Sequence, residues 1–161
     1  MPDQLTPEAV LAQERELVLP SFNENDAIDI GETVLQLARE RSVGIAVEVH
    51  RAGRLIFRAA LPGTRKQNDI MMRSKRRVAE RWSRSSLHEK LRHEALGTTF
   101  EQATGLGLPK YAAIGGAFPL FVRGADPVGG LMGVLVIAGL PHEQDHALAV
   151  EGLRTYLAKR R

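Results

Sequence analysis

The chain of 161 residues has no cysteine. That absence excludes disulfides, thiolate nucleophiles, Cys-ligated zinc, iron–sulfur clusters and covalent haem attachment through C-x-x-C-H. No apolar run reaches the ~18 residues that a membrane helix needs. The first twenty residues, MPDQLTPEAVLAQERELVLP, carry acidic groups and no apolar h-region of a secretory signal, so a cytoplasmic protein is expected. Aromatic residues make up only 5%, few for stacking on bases. Neither G-x-x-x-x-G-K-[ST] nor G-x-G-x-x-G occurs, which removes the commonest phosphate-binding loops. Length and a composition of 43% apolar and 25% charged residues fit a single globular domain with a sizeable core.

Charge is what the chain has in excess, and it is uneven. The net charge is +3, but Arg65–Arg92 alone holds ten Lys/Arg against three Asp/Glu, leaving the remainder mildly acidic. Arg73, Lys75, Arg76 and Arg77 form the densest part. They could hold an anionic ligand or a partner, although four cations in five helical positions must point in several directions. No nucleic-acid signature accompanies them, so nucleic acid is not an expected partner.

Hydropathy patterning organises the chain around one stretch. Val128–Ile137 is nearly all apolar and uncharged, as expected of a strand buried on both faces, and AGLP at 138–141 ends it. A closing helix follows over Glu143–Lys159, with Ala147, Val150, Leu153 and Leu157 inward. Upstream, residues 1–24 read as a helical extension, with Pro7 in a first turn and Pro20 as the stop. Residues 25–161 form the main domain. Asn25 is expected to cap a helix over Asp26–Arg41. Two strands with period-2 alternation surround Ala52-Gly53 as a hairpin. Asn68 or Asp69 is expected to cap a helix over Ile70–Arg84, with Met71, Val78 and Trp82 inward. Ser86-Leu-His-Glu89 and Thr98-Thr-Phe-Glu101 read as capping boxes opening two more helices. Ala117–Arg123 is a strand whose Pro119 belongs at an edge or bulge, and Asp126-Pro127 turns into the buried strand. Hairpins on either side of a helical insertion predict an α+β domain, an antiparallel sheet covered by helices.

Several residues could carry chemistry. His142-Glu-Gln-Asp-His146 is formally H-E-x-x-H, the zincin pattern, but it directly follows Pro141 at a helix start and no later histidine completes a ligand set. Helix-end and surface roles are the plainer reading. Gly115-Gly116 permits either a turn or close backbone approach to a ligand. Trp82 can anchor a flat ligand or an interface, while its place on the apolar stripe favours core packing.

GGAFPLFVRG followed by VxVxAGLPxxxDHALxVE, together with RAALPGTRKQNDIMMRSKRRVAERWSRSS over 58–86, resembles the uncharacterised-protein branch of the haem-degrading domain family (GlcG/HbpS-like). The resemblance runs from about Asp29 to the C-terminus. It implies a profilin-like sheet of about five strands, an oligomeric protein, and a haem-binding or haem-degrading activity. Asn68 and Asp69 fall in the segment similar to the family's DN element, and Asp145-His146 in its recurring Asp-His pair. The histidine that commonly precedes the Gly pair in the family is Ile114 here. On this reading haem propionates meet Arg73, Arg76 and Arg77 beside Trp82, Gly115 and Gly116, and His146 lies near the iron with Asp145 beside it. The reading from another class is a non-enzymatic homo-oligomeric module that binds a small anionic metabolite or a partner protein. No catalytic residue is identified.

Overall fold

A computed structural model of the chain describes residues 4–124 and 130–160. The core is a sheet of four antiparallel strands in the order β2-β1-β4-β3, with helices on both faces. β1 (Ala46–Arg51) and β2 (Arg54–Ala60) form the expected hairpin. Its two turn residues, Ala52 (φ 50°) and Gly53 (φ 77°), both take the left-handed conformation that a two-residue hairpin turn demands. β3 (Ala117–Phe121) and β4 (Leu131–Ala138) form the other half. The expected turn at Asp126-Pro127 and the first residues of the expected strand, Val128 and Gly129, lie outside the described residues.

β4 is central, bonded to β1 on one side and β3 on the other. Its alternation divides the core. Leu135 and Ile137 pack with α2 (Glu24–Glu40) and α6 (His142–Lys159), while Val134, Val136 and Ala138 pack with Met72 and Ala79 of α3 (Lys66–Trp82). A strand apolar on both faces therefore sits between two helical layers, each buried Leu or Ile contributing roughly 1.5–3 kcal/mol.

Among the described residues the sheet has four strands where about five were expected. The outer edge of β3 is closed instead by a single parallel bridge between Leu19 and Val122. Leu19 N–H donates to Phe121 O and Arg123 N–H to Leu19 O, both at 2.8 Å. Pro20 lacks an N–H, so it cannot extend that ladder as a donor. Pro119 faces Val134 on this edge strand, next to a register shift at Leu120/Phe121.

Helix starts are displaced from the expected caps, by one or two residues in α2, α4 and α5 and by three or four in α3. α2 is capped by Asn23 rather than Asn25, in a reciprocal box in which Asp26 N–H donates to Asn23 Oδ1 (3.0 Å) and Asn23 N–H to Asp26 Oδ2 (2.8 Å). α4 (Ser86–Ala95) is capped by Ser85, and α5 (Phe100–Thr104) by Thr99. In α3 the start moves to Lys66, and Asn68 sits one turn inside, accepting the Arg65 N–H at 2.8 Å. Its inward stripe is Met72, Lys75, Val78 and Ala79 rather than Met71, Val78 and Trp82. In α6, Val150 and Leu153 face inward as expected, but Ala147 is exposed and Asp145 and His146 are buried. α1 (Pro7–Glu16), capped by Thr6, lies against α4 with Val10 buried.

Candidate functional site

The most unusual feature is a charged group where the core should be apolar. Lys75 is among the largest fully buried side chains of the described residues, 2% exposed. It replaces a hydrophobe on the inward stripe of α3 and reaches β4 and the start of α6. Its ammonium donates to Ile137 O and to Asp145 Oδ2, each at 3.0 Å. Asp145, 1% exposed, accepts the Leu140 N–H on its other oxygen at 3.0 Å. Burial drives the Lys75 pKa down and the Asp145 pKa up, and their mutual contact opposes both shifts.

The Gly pair makes room for this contact. Gly116 has φ +136°, and a Cβ there would lie 2.7 Å from Lys75 Nζ and 2.4 Å from Ile137 O. A Cβ on Gly115 would lie 2.3 Å from His142 O. Gly115 N–H donates to His142 Nδ1 at 2.9 Å, which places the His142 proton on Nε2. Thus α3, the 115–116 loop, the end of β4 and the start of α6 are tied at one polar centre.

His146 belongs to the same corner but faces α1. Its Nε2 is 2.7 Å from Gln13 Oε1, so Nε2 carries the proton, and the buried Nδ1 has no partner. It is 1% exposed, and burial, followed by the nearby His142, lowers its pKa to about 4. A neutral imidazole sealed under α1 does not open on a cleft. The two histidines of the H-E-x-x-H pattern point to different partners, and the described residues hold no group of three or more His, Asp or Glu that could bind a metal.

The other expected site residues do not converge. Asn68 is spent on the α3 start. Asp69 accepts from Arg58 at 2.6 Å, and Arg58 also pairs with Glu48. Arg73 is exposed, Arg76 pairs with Glu80, and Arg77 donates to Lys110 O at 3.4 Å. Consecutive helical positions fan these guanidiniums apart, and the member of the run with a buried role is Lys75. Trp82 packs edge-on against Phe100 (5.1 Å) and Tyr111 (5.9 Å), with the Arg81 guanidinium 5.1 Å from its ring centre.

Trp82 also borders a cleft of about 400 Å³ at the other end of the sheet, between the α3–α4 junction and the open end of β3–β4. Ser83, Arg84, His88, Glu89, Arg92, Phe121 and Leu131 complete its walls. Here lies a residue that the sequence offered only as one of five histidines able to ligate haem iron, beside His50, His93, His142 and His146. His88 is 8% exposed, and its Nδ1 is buried without a hydrogen-bond partner, 3.9 Å from Glu89 Oε1. Glu89 is itself buried and accepts from Arg92 Nε (3.0 Å) and Nη2 (2.8 Å). Burial works against its charge, but His88 and Arg92 hold its pKa below the ordinary value. Its further sequence signal was the Ser86–Glu89 capping segment, which sets His88 and Glu89 in the first turn of α4. A shorter-walled apolar groove of about 320 Å³ adjoins across Arg84 and Phe121.

Residues 22–154 match a family described as haem-degrading protein, HbpS-like. A UPF0303 protein of Streptomyces avermitilis is 46% identical over 148 residues, covering 92% of this chain and 88% of the relative. One of Rhizobium johnstonii is 38% identical over 150 residues, 93% and 90% of the two chains. Among solved structures, Ybr137w superposes with a TM-score of 0.86 at 25% identity, covering 95% of this chain and 88% of its own. A PduOC:haem complex superposes at 0.67 and 21% identity (85% and 94%). A double mutant of Streptomyces reticuli HbpS superposes at 0.64 and 17% identity (83% and 86%), and these last two likenesses bear on the fold.

Proposed function

The chain belongs to the HbpS-like haem-degrading family, and from that premise we propose that it binds haem non-covalently in the cleft beside His88. The observation that carries this reading is the His88 imidazole, lining a cleft of about 400 Å³ with the buried Glu89 carboxylate behind its Nδ1. The histidine of a metal site commonly turns its second nitrogen toward a carboxylate, which fixes the tautomer and leaves the other nitrogen for the metal. His88 has that arrangement in loose form: Nδ1 lies 3.9 Å from the Glu89 carboxylate, leaving Nε2 as the candidate ligand. Arg92 holds Glu89 in place, and Arg84 and Arg92 at the walls are suited to propionates. Trp82, Phe121 and Leu131 offer the apolar surface that a flat macrocycle needs. When bound, the haem would supply its iron-centred redox chemistry; the protein's part is to orient, to neutralise the propionates and to restrict water.

This reading moves the iron from His146, which is enclosed by α1, to His88, and moves the propionates from the Arg73–Arg77 run to Arg84 and Arg92. The PduOC likeness supports a haem ligand on this fold without supplying residues. A haemin titration of the full chain, followed by absorbance, tests it. Saturation near one haem per chain is expected, with a ligand-dependent Soret shift that His88→Ala abolishes and His146→Gln keeps. Unsaturable absorbance, or loss in folded His146→Gln with retention in His88→Ala, would refute the site. Self-association is a separate part of the proposal, checked by light scattering on the same samples.

A further inference from the structure

The groove next to the haem cleft has a different character and, besides the shared Arg84 and Phe121, its own ligand groups. Its walls are Leu11 and Val18, before and after the end of α1, and Phe121 and Val122 at the end of β3. All four are half-buried. The volume of about 320 Å³ suits a small organic molecule.

At its floor are two opposite charges that do not satisfy one another. Glu14 is 3% exposed, although it belongs to α1 and has no partner within that helix. Its Oε2 accepts the Ser85 N–H at 3.2 Å, so one oxygen serves the start of α4. Its Oε1 is buried with no hydrogen-bond partner. The nearest cation, Arg84 Nη1, lies 3.8 Å away, beyond hydrogen-bond reach, and donates instead to Ser83 O at 2.9 Å. An unfilled buried acceptor costs about 1–3 kcal/mol, more if charged, so it is a place where a ligand donor would be held. Burial leaves the Glu14 pKa raised despite the nearby Ser85, Arg84 and His88, which is the state that a ligand cation would relieve. Arg15 and Arg123, both exposed, add positive charge at the rim.

A ligand that matches all three features carries a donor cation for Glu14, an anion for the arginines and an apolar body for the walls. The two charged groups must be adjacent, because Glu14 Oε1 and Arg84 Nη1 are only 3.8 Å apart. We propose that this groove binds a free α-amino acid with an apolar side chain, its ammonium on Glu14, its carboxylate on Arg84 with Arg15 and Arg123 beyond, and its side chain against Leu11, Val18, Phe121 and Val122. The groove shares Arg84 and Phe121 with the haem cleft, whereas Glu14, Leu11 and Val18 belong to it and not to that cleft.

Calorimetric titration of the full chain with L-leucine and L-phenylalanine tests the proposal, with 3-phenylpropionate, phenethylamine and glycine each removing one element. At least one of the two amino acids is expected to saturate a single site, and each truncated probe to bind about tenfold or more weakly. Glu14→Gln keeps an acceptor for Ser85 N–H but removes the charge, and should lower affinity about tenfold with an unchanged circular dichroism spectrum. Should that variant not fold, Val18→Trp, which fills the apolar wall away from Glu14, is expected to abolish binding instead. No saturable binding of either amino acid overturns the proposal, and so does 3-phenylpropionate binding as tightly as L-phenylalanine, which would make the groove a plain acid site. Haemin saturation without amino acid binding sinks this inference and leaves the haem reading standing; the converse result does the opposite.

Discussion

Replacing Lys75 by methionine should be among the most damaging single changes outside the hydrophobic core proper. The substitution keeps length and apolar volume but leaves the Asp145 carboxylate in the interior without a cation, held by backbone N–H groups such as that of Leu140, and strips the donor from Ile137 O. Both charges are at least 98% buried, so solvent cannot screen or replace the lost partner. Removing one member of such a pair costs about 3–5 kcal/mol. For a chain of this size that corresponds to a fall in Tm of roughly 6–20 °C, at ~2–4 °C per kcal/mol. Asp145→Asn retains an acceptor for Leu140 N–H and strands the ammonium instead. The double variant strands neither charge, so its loss should be smaller than the sum of the singles by about 1–3 kcal/mol. Urea denaturation followed by circular dichroism, at one protein concentration, measures all four forms. The Lys75→Met deficit should also narrow as pH is lowered into the carboxylate range, because burial raises the Asp145 pKa and protonation removes the stranded charge. A single-mutant loss below about 1 kcal/mol, or additivity within about 0.5 kcal/mol, would refute the view that this pair ties α3 to α6.

Three other outcomes follow from the same geometry. His146 has a folded pKa of about 4 against an ordinary 6.5. The unfolded chain therefore binds the extra proton, and stability should drop by about 3 kcal/mol as pH falls from above 6.5 to 4; His146→Leu should flatten that slope in denaturation curves taken at several pH values, and an unchanged slope would contradict the burial argument. Gly31→Ala would place a Cβ 2.1 Å from Phe57 Cδ1, so α2 or the β2 ring must shift; a loss of about 1–3 kcal/mol is expected despite the better helix propensity of alanine, and a gain in Tm would show that the contact yields easily. Thr99→Ala removes the side chain that accepts the Gln102 N–H at 3.1 Å and should cost about 1 kcal/mol, whereas Thr98→Ala should stay within about 0.5 kcal/mol; equal effects would mean that the cap is misplaced.

The architecture was legible wherever a short-range physical rule was enough. The all-apolar run ending at Ile137 declared a strand with helices on both faces, and β4 is that strand. Ala52-Gly53 between alternating segments declared a hairpin, because few residue pairs take two left-handed conformations in succession. Pro119 declared an edge, since a missing N–H is tolerated there. Caps of α2, α4 and α5 were found to within two residues and that of α3 only to within four, the competition between adjacent polar residues such as Ser85 and Ser86 being decided by tertiary contacts: Ser86 Oγ is occupied by the Ala117 N–H at 3.0 Å, leaving Ser85 as the cap.

What the sequence could not decide was which polar residues go inside. Lys75 looks like one of four adjacent cations, and only the crossing of α3 over β4 shows that it alone meets a buried carboxylate, one supplied 70 residues later. His146 reads as a ligand until α1 is folded over it and Gln13 takes its Nε2. His88 reads as a first-turn helix residue until Trp82, Phe121 and Leu131 form a cleft around it. Periodicity and turn chemistry act between neighbours along the chain, so they determine elements and the class of fold. Burial of a charge, the pairing of its partner and the opening of a cleft are properties of groups brought together from distant positions, and the tertiary structure alone decides them.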